Sequence, residues 1–277
     1  MKYIIMCGGS YRTWEEPRQL VKIQGETLVE RTIRLLKENG VEDIAISSNH
    51  PAFESFGVPV LHHENGYTWR EWNDCDGSWC DAFYPTKEPA CYLFGDVFFS
   101  PEAIRKIVET ETNDIELFGS QKPFAEEYWK PWIEPFALKV QDQKHLRKAI
   151  KRTKELEKEG AFWRDPIMWE LWQVIKGTRL NKELRNYTAV NDYTCDIDDP
   201  KDVETIEKIM NGDKPEEWKS GFPKPLKVYE CRVDGGDVVK LKHFMCTLTM
   251  KHYWKKLNGD FEHGRVEWRG EPTTFRD

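Results

Sequence analysis

Short apolar runs alternate with amphipathic stretches through the first half of the chain. The first run, residues 2–7, ends at two glycines, and the stretch 27–39 repeats its apolar residues at helical spacing. A run at 89–94 is apolar throughout, which is typical of a strand buried on both faces. The pattern predicts strands at 2–7, 43–47, 58–61, 89–94, 115–119 and 134–140, and helices at 27–39, 101–110, 143–159, 165–176 and 199–210. Strands that alternate with helices predict an α/β fold with a mostly parallel sheet.

The residue composition of the chain changes near residue 213. Residues 213–225 combine glycine, proline and charged residues, as linkers do. After them, strand-like runs at 227–233 and 238–248 flank Gly235 and Gly236, which predicts a hairpin. We therefore predict a core domain over 1–212, a linker over 213–225 and a small β-rich C-terminal module over 226–277. Three roles are open for this module: an oligomerisation arm that makes a homo-oligomer, a lid over the acceptor site, or a partner-binding module.

Composition narrows the class of protein. Apolar residues make up 39% of the 277 residues, enough for a sizeable core, and the net charge of −7 argues against a general nucleic-acid binder. No apolar run approaches the roughly 20 residues that span a bilayer, so no membrane partner is expected. The N-terminal apolar stretch is too short for a signal peptide, which predicts a cytoplasmic protein. The seven cysteines follow no disulfide or zinc spacing, and we expect free thiols.

The turn after the first predicted strand has the features of an anion-binding loop. Glycines there let the backbone approach a ligand closely and point N–H groups at phosphates. Three cations follow, which can neutralise a triphosphate. The spacing is not that of a P-loop. The loop residues are Cys7, Gly8, Gly9 and Ser10, and the cations are Arg12, Arg18 and Lys22.

Acidic residues follow two other strand-like segments. Asp96 lies just beyond the apolar run 89–94, at the strand end where ligands bind in open α/β sheets. Asp196 and Asp198 alternate in an extended segment, so both side chains point the same way and can face one cation. Asp199 is predicted to cap the helix that begins at Pro200.

Together these segments resemble the signature of the sugar-phosphate and MobA-like nucleotidyltransferases, which have a GT-A-like fold. Gly8, Gly9 and Arg12 fit the first part of the signature, residues 17–20 the second, and residues 25–31 the helix start that follows. Two positions depart from the family pattern: Ser10 replaces a common glycine, and Arg18 replaces a lysine, whose role Lys22 could share.

The resemblance implies the fold, the site and the reaction. The fold would be a Rossmann-like, three-layer α/β/α sandwich with a mixed, mostly parallel sheet. Asp96 would hold a catalytic Mg²⁺ together with Asp196 or Asp198, and which of those two is the main ligand stays open. The basic residues would bind and polarise phosphates, and the loop would hold the nucleotide. The segment that contains Asn73 and Ser78 would contact the nucleobase.

The implied reaction is attack of an acceptor phosphate on the α-phosphate of a nucleoside triphosphate, with release of pyrophosphate. CTP or UTP is favoured as donor. A sugar phosphate is the acceptor that the family implies, as in sugar nucleotide biosynthesis. A phospho-alcohol such as phosphocholine is the other, because tryptophan faces bind cations and the chain has 12 tryptophans. Two alternatives stay open: a GT-A-type glycosyltransferase with a nucleotide-sugar donor, and a non-catalytic nucleotide-binding protein on the same fold.

Overall fold

The computed structural model describes residues 1–8, 14, 16–62, 78–121, 133–181 and 184–212, and the backbone of 227–232, 238–246 and 251–256. The contacts of the backbone divide the chain into two compact units. The larger unit contains the described residues up to 212, and the smaller contains the three strands beyond 226. The predicted linker 213–225 lies outside the described residues, and the predicted domain bounds stay a prediction. Within the described part of the chain, no helix is long and apolar enough to cross a membrane.

Strands and helices alternate in the larger unit. Its described strands are β1 (Lys2–Met6), β2 (Lys22–Ile23), β3 (Glu26–Thr27), β4 (Ile44–Ser47), β5 (Val60–Leu61), β6 (Ala90–Phe94), β7 (Val97–Phe98), β8 (Ile115–Ser120), β9 (Pro135–Val140), β10 (Thr188–Val190) and β11 (Cys195–Asp196). Its described α-helices are α1 (Leu28–Glu38), α2 (Pro101–Glu109), α3 (Gln143–Lys158), α4 (Met168–Ile175) and α5 (Pro200–Met210).

Seven strands form the central sheet, in the order β10-β8-β9-β6-β1-β4-β5. All neighbouring pairs are parallel except those of β9, which runs antiparallel to both β6 and β8. The ends of β1, β6 and β8 therefore lie at the same edge of the sheet as the beginning of β9. This edge collects the residues of the candidate site.

Helices cover the sheet. Every residue of β4 and β6 is buried, as expected for strands covered on both faces. Helix α1 packs with α2, and α3 with α4, and all four contribute side chains to the core that contains the strands. The predicted α/β class, with a mixed and mostly parallel sheet, is confirmed.

Local sequence explains where the helices begin. Thr27 and Glu30 form a capping box at the start of α1, and Ser100 caps α2 ahead of Pro101. Asp199 accepts a hydrogen bond from the Lys201 N–H at the start of α5, so the predicted cap is confirmed.

One helix is shorter than predicted. Helix α4 begins at Met168 and not near residue 165, since a residue before proline, here Asp165 before Pro166, disfavours helical backbone. The Glu170 carboxylate accepts the N–H of Ile167 and also pairs with Arg164.

The smaller unit contains a three-stranded antiparallel sheet. Its strands are β12 (Lys227–Arg232), β13 (Val238–Cys246) and β14 (Lys251–Lys256). The pairing of β12 with β13 confirms the predicted hairpin, whose glycines lie outside the described residues. Strand β14, which pairs with β13, was not predicted.

Candidate active site

The turn after β1 leads from the core to the surface. The N–H of Cys7 donates to Ser47 O (2.9 Å), and the Ser48 hydroxyl donates to Cys7 O (2.9 Å). Cys7 is fully buried, which raises the pKa of its thiol well above the ordinary value, and the nearby Asp96 raises it further. The backbone of Cys7 is thus used within the fold, and Gly8 is the first exposed residue of the loop. Gly9, Ser10 and Arg12 lie outside the described residues.

The end of β6 approaches β1 closely at Gly95. Its N–H donates to Met6 O (3.0 Å), and a Cβ at this position would lie 2.6 Å from Met6 O and 2.7 Å from Cys7 Sγ. A glycine is required there because any side chain would meet the backbone of β1. Asp96 follows directly, at the edge of the sheet predicted to bind a ligand.

A small antiparallel sheet carries the second acidic segment to Asp96. Strand β11 pairs with β7, and the Ile197 N–H donates to Asp96 O (2.9 Å). The segment that holds Asp196 and Asp198 is therefore fixed to the turn that holds Asp96.

Arg18 lies among these carboxylates. It begins a 3₁₀ turn, Arg18–Leu20, that directly follows the buried Pro17. Its Nη2 donates to Asp96 Oδ2, and its Nη1 donates to Asp198 Oδ1 (2.9 Å) and lies 3.9 Å from Asp196 Oδ1. The side chain is 8% exposed. One buried guanidinium thus contacts all three aspartates that the sequence predicts as metal ligands.

Glu134 joins the cluster from the beginning of β9. It is 2% exposed, and its Oε2 accepts the N–H of Asp196 (2.9 Å). Carboxylate oxygens of Glu134, Asp196 and Asp198 all lie within 4.8 Å of one another. The sequence did not indicate this residue as a ligand, because its position depends on the antiparallel direction of β9, which no motif reveals.

Burial and mutual repulsion disfavour the ionised form of the carboxylates in this cluster. Burial raises the pKa of Asp196 well above its ordinary value, and the carboxylates of Asp198 and Asp96 raise it further, while Arg18 acts in the opposite direction. A second cation would favour the ionised carboxylates. Carboxylate oxygens at this spacing are the ligands that hard divalent cations prefer, and the guanidinium of Arg18 shows that the cluster already accommodates positive charge.

Two other predicted residues lie apart from this cluster. Lys22 is exposed on the β2–β3 hairpin and forms no ion pair with any described residue. Ser78 caps a 3₁₀ turn, Trp79–Ala82, where its hydroxyl accepts the Cys80 N–H (3.4 Å). Asn73 lies outside the described residues. Of the cations predicted to bind phosphate, the structure therefore brings Arg18 to the aspartates and leaves Lys22 at the surface.

Residues 3–70 match the family model of the MobA-like NTP transferase domain. The N-terminal segment is therefore similar to the MobA-like NTP transferase domain. This match confirms the predicted resemblance and, at the level of the family, the predicted enzyme class of a nucleotidyltransferase. The matched segment includes Arg18 and Lys22 and ends before Asp96, so the case for the aspartates rests on geometry alone.

Several solved nucleotidyltransferases resemble the chain in fold. CTP:phosphocholine cytidylyltransferase from Streptococcus pneumoniae (LicC) is 16% identical, with a TM-score of 0.45 over 76% of this chain and 98% of that one. A putative glucose-1-phosphate thymidylyltransferase from Bacillus anthracis is 16% identical, with a TM-score of 0.49 over 78% and 98%. Similarities at this level say nothing about the substrates of this chain. Among curated proteins, none matches the chain significantly.

Proposed function

We propose that the protein is a divalent-cation-dependent nucleotidyltransferase that transfers a nucleoside monophosphate from a nucleoside triphosphate to a phosphorylated acceptor. One observation carries the proposal. Arg18, a basic residue of the segment that matches the NTP transferase family, contacts Asp96 and Asp198 from two segments far along the chain. A phosphate-binding cation and a carboxylate cluster in contact are the two halves of a metal-assisted phosphoryl-group transfer site.

Each half has a role in the proposed reaction. An oxygen of the acceptor phosphate forms a bond to the α-phosphorus, the bond from that phosphorus to the bridging oxygen breaks, and pyrophosphate leaves. Arg12, Arg18 and Lys22 would bind the phosphates and stabilise the charge that builds on them. The loop from Cys7 to Ser10 would hold the nucleotide, with Asn73 and Ser78 near its base.

The acidic residues fit Mg²⁺ as a cofactor. Asp196 and Asp198 would hold it with Asp96, and Glu134 offers a further carboxylate within reach of the two later aspartates. When bound, the ion would neutralise phosphate oxygens and the leaving pyrophosphate. The chemistry of the donor set supports this fit, since all four groups are the oxygen ligands that Mg²⁺ prefers.

For the substrates, we propose classes of donor and acceptor. We favour CTP or UTP as donor and a sugar phosphate as acceptor, with a phospho-alcohol such as phosphocholine as the alternative. Trp169 and Trp172 give the phosphocholine alternative no support, because both are buried in the core and the Trp172 indole N–H donates to Arg185 O (3.0 Å). The half-buried Trp14 lies beside the cluster, where its indole N–H donates to Asp198 O (3.1 Å). A cytoplasmic location and a role for the C-terminal module in oligomerisation are likewise proposals.

A screen for pyrophosphate release tests the activity. The four nucleoside triphosphates are each incubated with pooled sugar phosphates or phospho-alcohols and Mg²⁺. With the active pair, Asp96→Asn is expected to lower turnover by about 100-fold or more, because several kcal/mol of charge stabilisation would be lost. Asp43→Asn is the matched control, because Asp43 is exposed and pairs with Lys2 far from the cluster.

The outcomes separate the alternatives. Wild-type turnover of Asp96→Asn would contradict the proposed site. A glycosyltransferase would consume a nucleotide-sugar and release no pyrophosphate from any triphosphate. A non-catalytic binding protein would bind a triphosphate with Mg²⁺ and turn over none of them.

A further inference from the structure

Arg18 connects three parts of the larger unit through one side chain. Besides its bonds to Asp96 and Asp198, its Nη1 lies 3.4 Å from Ile197 O, within hydrogen-bonding distance. The Trp14 indole N–H donates to Asp198 O (3.1 Å), next to the same segment. The 3₁₀ turn of Arg18, the end of β6 and the segment after β11 are therefore linked at the guanidinium.

The bonds of Arg18 involve carboxylates that a metal ion would also use. Its Nη1 donates to Asp198 Oδ1 and faces Asp196 Oδ1 at 3.9 Å, and both aspartates belong to the carboxylate cluster with Glu134. Mg²⁺ binds oxygens at about 2.0–2.1 Å and demands a regular arrangement of ligands. A guanidinium nitrogen and a divalent cation at this cluster would repel each other and compete for the same carboxylates.

The identity of the residue strengthens this competition. The planar guanidinium presents separate nitrogens to Asp96 and Asp198, whereas a lysine, the residue of the resembling family, has a single ammonium nitrogen. Arginine also stays protonated at any working pH. Arg18 is therefore a stronger and more permanent counter-ion for the cluster than lysine would be.

We propose that Arg18 is a positioning residue that serves as an exchangeable counter-ion of the metal site. Its guanidinium holds the carboxylates of Asp96, Asp196 and Asp198 together when no divalent cation is bound, and it would be released to contact the phosphates of the nucleotide when these carboxylates hold the ion. This inference rests on the metal site of the proposed function. It adds that the guanidinium of Arg18 weakens the binding of the divalent cation to the cluster.

Binding of Mn²⁺ alone, followed by the electron paramagnetic resonance signal of the free ion, tests the competition. Arg18→Gln is expected to bind Mn²⁺ about tenfold more tightly than the wild type, a usual size for coupling between two ligands. Arg18→Lys is expected to lie between the two, because it keeps the charge and loses the two-pronged contact. Adding Asp196→Asn is expected to weaken Mn²⁺ binding both in the wild type and in Arg18→Gln.

Arg31→Gln provides a matched control. Arg31 is also buried, donates to a backbone carbonyl (Phe99 O, 2.8 Å) and faces a carboxylate, that of Glu26, at 3.9 Å. Its guanidinium lies over the Phe98 ring. Loss of this arginine should lower stability and leave the Mn²⁺ affinity unchanged. Arg18→Gln would give the same result if the role of Arg18 were merely structural.

The results distinguish the two proposals. If Asp196→Asn weakens Mn²⁺ binding while Arg18→Gln and Arg18→Lys bind it no more tightly than the wild type, the exchange role is wrong and the metal site stands. If Asp196→Asn and Asp198→Asn both leave Mn²⁺ binding unchanged, both proposals are wrong. Should Arg18→Gln not fold without metal, the Arg18→Lys affinity decides, and recovery of the Arg18→Gln fold by Mn²⁺ supports the exchange.

Discussion

Gly95 sets how closely the turn that carries Asp96 can approach β1. The hypothetical Cβ would lie within 2.6 Å of a backbone oxygen, which cannot rotate away as a flexible side chain can. The position of Asp96 therefore depends on a residue that has no chemistry of its own.

Gly95→Ala is expected to destabilise the protein. We expect the free energy of unfolding to fall by about 1–3 kcal/mol, because the added methyl group forces β6 and β1 apart. Urea unfolding followed by tryptophan fluorescence measures this change. Cys7→Ala in the Gly95→Ala background removes the sulfur contact and leaves the contact with Met6 O, so it should restore only part of the loss. An unchanged unfolding midpoint for Gly95→Ala would contradict the close approach.

Single residues also show what the sequence reveals of the site. Asp96 was identifiable because it lies just beyond the apolar run 89–94, and Asp196 and Asp198 because they alternate in an extended segment and so share a face. Glu134 was not, because a glutamate before the proline of a strand has no distinctive neighbours. The bonding of Arg18 to the carboxylates could not be predicted either, because Arg18 and Asp198 lie 180 residues apart in the sequence.

Among the elements, the C-terminal end of α2 is bound by a lysine of the sheet. Lys139 on β9 is buried, and its Nζ donates to three carbonyls at the end of α2: Ile107 O (2.9 Å), Val108 O (2.9 Å) and Thr110 O (2.7 Å). The last carbonyls of a helix have no partner within it and favour a cation. Lys139 thus connects the helix to β9, the strand that directly follows Glu134.

Lys139→Met should lower the free energy of unfolding by about 2 kcal/mol, because buried carbonyls lose their donor. Lys106→Met is the control: Lys106 is exposed and donates to a single carbonyl, Ala189 O, so the expected change is within about 0.5 kcal/mol. Thermal and urea unfolding of both variants give the comparison. Equal stabilities of the two variants would show that Lys139 contributes no more than a surface lysine.

Elements with a strong pattern were predictable and short ones were not. Strand β6 and helix α1 show a continuous apolar run and a helical repeat, and their ends fall within a residue or so of the prediction. Strands β7 and β11 have two residues each, too few for any period, yet their pairing brings the aspartates together. Long-range pairing is fixed by the folded chain and leaves no local signal.

For the molecule as a whole, buried thiols are distributed through the larger unit. The thiols of Cys7, Cys80, Cys91 and Cys195 are all buried, and burial raises the pKa of Cys80 and of Cys91 to about 12. All four thiols are inaccessible, and the raised pKa values keep Cys80 and Cys91 out of the reactive thiolate form at neutral pH. They report on opening of the core.

Pulses of iodoacetamide at pH 8 should leave peptides containing these four cysteines unmodified in the native protein. The same pulse in denaturing urea should modify all four, which serves as the control. Mass spectrometry identifies the sites. Rapid modification of Cys91 in the native protein would show that β6 is not covered as described.

The wide separation of Arg18, Asp96, Glu134 and Asp198 along the chain has a consequence for biosynthesis. Arg18 leaves the ribosome early, whereas Asp198 is among the last residues of the larger unit to appear. Until then the early arginine has no complete set of carboxylates to join, and contacts of such long range form slowly. The nascent chain thus cannot acquire this centre of charge until the 180 residues that separate Arg18 from Asp198 have been synthesised.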